Sequence, residues 1–204
     1  MFTLFLIACG GGTTEFKGTQ MESYFPLDGD RQAVYGSDEA ANGFDLVVTK
    51  LEPAETIDGE EVVTLEHSEE DAGVVLGAVK WSSSDGVKIY GYRSDATSDF
   101  TMFDTPVVFA EQFMRKGDEV VTETNGMTFT SSFVGVEDCP VLWGPDWKEC
   151  IHMRLDDGDG DDSVGPLFAG DYWLVTRYGP AWMQTTGVAA KWNLKDYQWS
   201  GEEG

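Results

Sequence analysis

Short runs of alternating apolar and polar residues recur along most of the chain, and turn-forming residues separate them. In the stretch DYWLVTRY (Asp171–Tyr178), Tyr172, Leu174 and Thr176 fall on one face. A period of two residues is typical of half-buried antiparallel strands. The strands predicted in this way are Phe44–Lys50, Glu61–Glu66, Gly73–Trp81, Gly86–Arg93, Asp118–Thr124, Met127–Val134, Lys148–Leu155, Asp171–Tyr178, Ala181–Thr186 and Ala189–Trp199.

This spacing predicts an all-β protein. Asn125-Gly126 between two of the runs is the strongest hairpin signal, because that dipeptide suits a type I′ turn. We expect a curved antiparallel meander, closed into a barrel or half-barrel, since closure limits exposed strand edges. One short helix is predicted around Val107–Met114, written VVFAEQFM.

The first residues show a different pattern, an apolar run over Phe2–Ala8 that stops at Cys9 and is followed by glycines. The run is far shorter than the roughly 18–20 apolar residues of a membrane span. Leu6-Ile7-Ala8-Cys9 resembles the lipobox of bacterial lipoproteins, in which the chain is cut before the cysteine and a diacylglycerol is attached to its thiol. The alternative is a buried N-terminal strand, which the glycine run disfavours. The predicted organisation is a signal remnant over 1–8, a flexible tether over 9–22, one β-rich domain over 23–200 and a frayed tail over 201–204.

The charge narrows the class of partners. The chain carries 13 Lys and Arg against 37 Asp and Glu, a formal net charge of −24. Nucleic acid and anionic lipid surfaces would be repelled, so we expect no nucleic-acid partner and membrane attachment only through the lipid at Cys9. Most of this acidity predicts a solvated surface, with cation binding as the alternative.

Three cysteines are present: Cys9, Cys139 and Cys150. Lipidation of Cys9 would leave two in an oxidising compartment, where disulfides form. They flank CPVLWGPDWKEC, which contains turn-forming proline and glycine, so we predict a disulfide between Cys139 and Cys150. The alternatives are two unpaired thiols, or an exposed Cys139 with Cys150 in the core.

The acidic stretch DDGDGDDSVG places Asp157, Asp159 and Asp161 at every second position, as in the first half of a calcium loop. An EF-hand needs Gly at position six and Glu at position twelve, and here Asp162 and Phe168 stand there. The stretch is therefore interpreted as a solvated acidic loop, with weak calcium binding as the alternative.

Catalytic chemistry has little support in the sequence. His67 and His152 lie in strand-like runs without a nucleophile motif, and no phosphate-binding glycine loop is found. Carboxylate pairs suited to a glycosidase arise by chance in so acidic a chain. Trp173, Trp182 and Trp192 belong to a tryptophan-rich C-terminal region and would line an apolar cavity, stack on sugars or pack the core.

The stretch YFPLDGDRQAVY (Tyr24–Tyr35) resembles the opening motif Tyr-Phe-Pro-Leu-x-x-Gly-x-x-Trp-x-Tyr of a family of uncharacterised bacterial lipoproteins, common in myxobacteria. Ala33 stands near the place of the tryptophan, and Gly29 is displaced by one residue. The stretches DGVKIYGYR, MRKGDEVVTE, GVEDCPVLWGPDWKECIHMRL, YWLVTRYGPAWMQTT and WNLKDYQW are also similar to that family. The resemblance implies an exported, lipid-anchored, β-rich domain and brings no catalytic residue or cofactor.

The opening motif also has a local physical interpretation. Pro26 fixes an extended entry into the domain. Phe25 and Leu27 would plug one end of the sheet, and Gly29 would allow the following turn.

We therefore expect a lipid-anchored protein of the bacterial cell envelope, with the outer membrane as the expected location. Its expected role is non-catalytic, either the binding of an apolar ligand or the docking of a protein partner. The alternative is an extracytoplasmic glycan hydrolase or a carbohydrate-binding module.

Overall fold

The computed structural model describes residues 18–37, 44–140, 147–157, 169–185 and 191–199. Within these residues the protein is all-β and contains one large antiparallel sheet of twelve strands and a second sheet of two. Short η1 (Met21–Tyr24) is a 3₁₀ turn. The strands are β1 (Thr19–Gln20), β2 (Arg31–Ser37), β3 (Leu46–Ile57), β4 (Glu60–Glu69), β5 (Val75–Ser82), β6 (Val87–Arg93), β7 (Thr101–Ala110), β8 (Phe113–Met114), β9 (Glu119–Thr124), β10 (Met127–Glu137), β11 (Cys150–Asp156), β12 (Gly170–Val175), β13 (Gly179–Thr185) and β14 (Lys191–Trp199).

The large sheet consists of two meanders, β2 to β7 and β9 to β14, in which neighbouring strands follow one another in sequence. The meanders join where β14 pairs with β2, for example through Tyr197 opposite Ala33. The sheet order therefore runs from β7 through β2 and β14 to β9. This confirms the predicted curved meander and gives a nearly closed, barrel-like sheet.

The two edge strands, β7 and β9, meet through side chains rather than through a backbone ladder. Thr124 Oγ1 accepts a hydrogen bond from the Thr105 amide at 3.0 Å, and Thr122 Oγ1 accepts one from the Val108 amide at 3.2 Å. Asn125 makes two further hydrogen bonds to the backbone of β7. We call this contact the seam. It satisfies edge amides that would otherwise be open to pairing with another chain.

The inward positions of the sheet form one apolar core. Phe25, Trp81 and Phe109 are in mutual ring contact there, with centroids 4.5 to 5.7 Å apart, and Tyr172 contacts Phe109 edge-on at 5.2 Å. Such tilted and edge-on contacts are the favoured arrangements of aromatic rings.

The predicted hairpin at Asn125-Gly126 is confirmed. Asn125 has a φ of 52° and Gly126 a φ of 77°, the positive values that a type I′ turn requires. Met127 lies opposite Thr124 in the resulting ladder.

The helix predicted at Val107–Met114 is wrong. Strand β7 continues through Ala110, and the short β8 follows at Phe113–Met114. Val107 and Phe109 are both completely buried, two residues apart, and this strand periodicity is set by contacts with the distant parts of the core. Tertiary packing therefore overrides the local preference.

The described N-terminal segment is part of the fold. Thr19 pairs with Met114, and Met21 is 0% exposed in the core. The Met21 amide donates to the Gln112 carbonyl at 3.0 Å. The expected tether over 9–22 therefore extends too far, because its last residues are held by backbone hydrogen bonds and apolar burial. Within the described residues, no helix is both long and apolar enough to cross a membrane.

Candidate functional site

An apolar cavity of about 70 Å³, partly open to the surface, lies between the two meanders of the curved sheet. Strands β2, β3, β4 and β5 form one wall, and β12, β13 and β14 form the other. The cavity is about half the size of the roughly 150 Å³ engineered cavity that takes up benzene or xenon. The lining residues are Phe25, Pro26, Leu27, Arg31, Ala33, Tyr35, Val48, Lys50, Leu65, His67, Trp81, Tyr172, Tyr178, Gly179, Pro180, Met183 and Tyr197.

One side of the cavity is formed by the opening motif. Phe25 and Leu27 are buried in the core, and Phe25 lies over Trp81 with ring centroids 4.5 Å apart. Gly29 has a φ of 65°, a conformation that glycine adopts at little cost. The burial of Phe25 and Leu27 agrees with the expected plug, and the positive φ of Gly29 agrees with the expected turn.

The two cations of the lining are already paired. Arg31 donates to Asp28 Oδ1 at 2.6 Å and also to the Tyr197 hydroxyl. Lys50 Nζ lies 3.0 Å from Glu52 Oε1. Because each positive charge has a carboxylate partner, Arg31 and Lys50 attract an anionic ligand only weakly.

His67 and Trp81 differ from the two cations of the lining because each contains a buried polar atom without a partner. His67 is 6% exposed and Trp81 is 3% exposed. Neither His67 Nδ1 nor Trp81 Nε1 has a hydrogen-bond partner among the described residues. A buried polar atom without a partner costs about 1–3 kcal/mol, which a bound ligand or water would recover.

Burial also determines the charge of His67. It lowers the pKa of His67 from 6.5 to about 4, because the charged imidazolium loses hydration. The ring is therefore neutral near pH 7. A neutral imidazole carries one donor nitrogen and one acceptor nitrogen.

Tyr35 is held in the cavity wall by its hydroxyl group. The hydroxyl donates to the Pro180 carbonyl at 3.0 Å, which ties β2 to β13 across the cavity. Burial raises the pKa of Tyr35 well above its ordinary value, so the phenol stays protonated. Tyr35 therefore acts as a structural contact in the wall.

A wider and more polar cleft of about 930 Å³ lies beside the cavity and shares Pro26, Leu27 and Arg31 with it. The shared residues form the wall between the two spaces. The remaining residues of the cleft are Gln20, Glu22, Ser23, Asp28, Ser83, Thr176 and Arg177.

The three tryptophans expected to line an apolar cavity lie elsewhere. Trp192 is 2% exposed and packs within the core, outside the cavity lining. Trp182 neighbours the lining residue Met183, and strand alternation places it on the opposite face of the sheet. Trp173 contacts Trp182 edge-on at 4.3 Å. None of the three therefore lines the cavity, and core packing, another of the alternatives, holds for Trp192. The face of the sheet that these residues occupy depends on the register of the strands.

His152 belongs to a separate outward-facing cluster. Its ring stacks on Trp173 with centroids 4.0 Å apart, and its Nε2 lies 2.6 Å from Asp171 Oδ1. Its Nδ1 lies 3.2 Å from Glu137 Oε2, without hydrogen-bond geometry. Burial alone would raise the pKa of Asp171, but hydrogen bonds from His152 and Arg154 lower it. The hydrogen bonds of this cluster stabilise the charged carboxylate of Asp171, and none of the cluster residues named here is a nucleophile.

The predicted disulfide between Cys139 and Cys150 is confirmed, with the two Cα atoms 5.0 Å apart. It anchors the start of β11 to the segment that follows β10. Cys150, Val175 and Ala181 form a small second core on the outer face of the sheet. Cys9 lies outside the described residues.

The candidate calcium ligands fall mostly outside the described part of the chain. Asp157 ends the segment after β11, whereas Asp159 and Asp161 are outside the described residues. Among the residues that the structure describes, no group of three or more His, Cys, Asp or Glu side chains is placed to hold a metal ion.

The sequence contains a local signal for one of the cavity residues, His67. Val63, Leu65 and His67 are spaced by two residues, which places His67 on the apolar face of β4. A histidine at an inward position of a strand would have identified it as a cavity residue.

Comparison of the chain with family models, with curated proteins and with solved structures finds no match. Function is therefore inferred from the geometry of the cavity.

Proposed function

We propose that this protein is a non-catalytic binding protein of the bacterial cell envelope that holds a small apolar ligand inside its curved sheet. The lipid at Cys9 would anchor it to the membrane, and the opening motif would connect the anchor to the domain. The observation that carries this proposal is the apolar cavity beside Phe25, Leu27 and Trp81.

The chemistry of the lining supports binding. Ligand sites are concave and mostly apolar, with few polar groups that fix orientation. This cavity has that composition. Its volume of about 70 Å³ suits a ligand smaller than benzene, or the apolar end of a larger molecule.

The glycan hydrolase has less support. Glycoside hydrolysis needs two carboxyl groups on either side of the scissile bond. Among the described residues that line the cavity, none is Asp or Glu. The wider cleft contains Glu22 and Asp28, but Glu22 accepts the Gly86 amide at 3.0 Å and Asp28 is paired with Arg31.

Carbohydrate binding through tryptophan stacking also has less support. Stacking on a sugar needs an accessible ring face. Trp182 and Trp192 are buried, and one face of Trp173 is covered by His152.

Xenon is a suitable probe of the cavity, because it enters dry apolar cavities without needing a polar partner. We expect saturable xenon binding by the native protein in ¹²⁹Xe NMR. Val48→Phe places a ring in the lining and should abolish this binding. Val121→Phe is the matched control, since Val121 is 61% exposed on β9, and it should leave binding unchanged. No saturable binding by the native protein would contradict the proposal.

The anchor is tested separately by expression in a bacterial host with labelled fatty acid. The native chain should carry the label, and Cys9→Ser should not. Label that persists in Cys9→Ser would contradict the anchor and leave the cavity proposal intact.

A further inference from the structure

The polar atoms of the cavity determine which ligands fit it best. His67 lies on the inward face of β4, opposite Val48 in one neighbouring strand and Gly77 in the other. Val48 is also part of the lining, and Gly77 contributes no side chain beside the imidazole. His67 therefore lines the cavity, and its buried Nδ1 has no hydrogen-bond partner among the described residues.

The charged residues of the lining do not select an anionic ligand. Arg31 and Lys50 each already have a carboxylate partner, Asp28 and Glu52. Binding an anion would require these ion pairs to be broken or shared. His67 is neutral near pH 7 and offers no charge to an ion either.

We propose that His67 is the polar anchor of this cavity, and that its ligands are small neutral molecules in which a short aliphatic part carries one hydroxyl or carbonyl oxygen. The inference rests on the proposed function, because it names the ligand class of the same cavity. A hydroxyl group both donates and accepts, so it satisfies His67 Nδ1 in either tautomer. A carbonyl oxygen satisfies Nδ1 when that nitrogen carries the proton.

Trp81 is a second polar group on the same wall. Its indole N–H is a donor only, so a ligand oxygen that reaches it must act as an acceptor. Hydroxyl and carbonyl oxygens both meet this requirement, whereas an ammonium group does not. Each of the two groups can therefore bond to a ligand oxygen, and the preference for a neutral ligand follows from the existing ion pairs of Arg31 and Lys50.

The test compares 1-propanol, propionate and xenon on the native protein and on His67→Leu, which replaces the imidazole with an apolar side chain of similar size. We expect 1-propanol to bind the native protein about fivefold more tightly than the variant, the change produced by one hydrogen bond of about 1 kcal/mol. Xenon affinity should be the same for both proteins within about twofold. Propionate should show no saturable binding. His152→Gln replaces the chain's other histidine and is the matched control, with the affinity of the native protein expected.

A spectroscopic readout keeps the inference testable if His67→Leu does not fold. The chain has two histidines, so the ring ¹⁵N resonances of His67 are assigned by comparison with His152→Gln. 1-Propanol should shift the His67 Nδ1 resonance of the native protein, and xenon should shift it less.

Three results would overturn the inference. If xenon binds, and 1-propanol binds the native protein and His67→Leu equally well, the proposed function stands but His67 does not hold the ligand. An unchanged His67 Nδ1 resonance on 1-propanol binding would show that the ligand does not bond to that nitrogen. Tighter binding of propionate than of 1-propanol would assign the ligand class to anions. If neither xenon nor 1-propanol binds the native protein, the result contradicts the proposed function itself.

Discussion

A histidine inside an apolar wall makes stability depend on pH in a predictable direction. The pKa of His67 is lowered from 6.5 to about 4 by burial, so the unfolded chain binds a proton more readily than the native protein between these values. As the pH falls between these values, the histidine takes up a proton in the unfolded chain but not in the native protein. This stabilises the unfolded state relative to the native state.

We predict that His67 lowers the stability of the native protein as pH falls from about 6.5 to 4, by about 3 kcal/mol in total. Above pH 7 the effect should vanish, and below pH 4 it should reach a plateau. The measurement is the free energy of unfolding of the native protein minus that of His67→Leu across this range. Loss of stability from carboxylates is common to both proteins and cancels. A constant difference would show that His67 titrates normally.

At the scale of elements, the seam and the disulfide connect strands that no tight hairpin joins. The seam holds β7 against β9 with threonine hydroxyls that accept backbone amides. The disulfide holds β11 against the end of β10 across a sequence separation of 11 residues.

Thr122→Val tests the seam, because it keeps the shape of the side chain and removes the acceptor for the Val108 amide. A buried amide without a partner should cost about 1–3 kcal/mol of unfolding free energy. Thr128→Val is the matched control, since Thr128 is exposed on β10 of the same hairpin and should change stability by less than about 0.5 kcal/mol. Equal effects in urea denaturation would show that the seam contributes little.

Replacing both cysteines, Cys139→Ala with Cys150→Ala, should lower the free energy of unfolding by about 3 kcal/mol, because the unfolded chain is no longer closed into a loop. Chemical denaturation of the variant and of the native protein measures the difference. The native protein after reduction should match the variant. Two free thiols at these positions in the unreduced native protein would contradict the bond itself.

At the scale of the whole molecule, the net charge of −24 opposes compaction through repulsion among like charges. Ion pairs such as Lys80–Glu55, Lys88–Glu60 and Arg93–Glu66 offset part of this on one outer face. The remaining excess of carboxylates stays unbalanced.

We predict that raising NaCl from about 0.01 to 0.5 M increases Tm by several degrees, because salt screens this repulsion. The measurement is thermal unfolding at constant pH. A Tm independent of salt would contradict the repulsion argument.

Calcium at matched ionic strength tests the acidic loop. An additional rise in Tm that is lost in Asp159→Asn with Asp161→Asn would establish a calcium site. An equal rise in both proteins would establish a solvated loop.

The candidate site was only partly predictable from sequence. The role of Phe25, Leu27 and Gly29 followed from their local chemistry, because a proline-fixed entry and a positive φ are properties of single residues. The cavity-lining His67 and Trp81 were not recognised as a pair. They come from different strands, and only the register of the sheet brings them to one wall.

The sequence by itself determined ten of the twelve strands of the large sheet and the Asn125-Gly126 hairpin, and it indicated the pairing of Cys139 with Cys150, because alternation, turn conformation and short loops are local properties of the chain. The tertiary structure alone decided that β14 joins β2, that β7 closes on β9, and that the segment after Val107 continues as a strand. It also decided that the tryptophans lie outside the cavity. These features depend on contacts between residues far apart in sequence, whose energies are set by packing and register, and a local pattern of apolar and polar residues does not encode them.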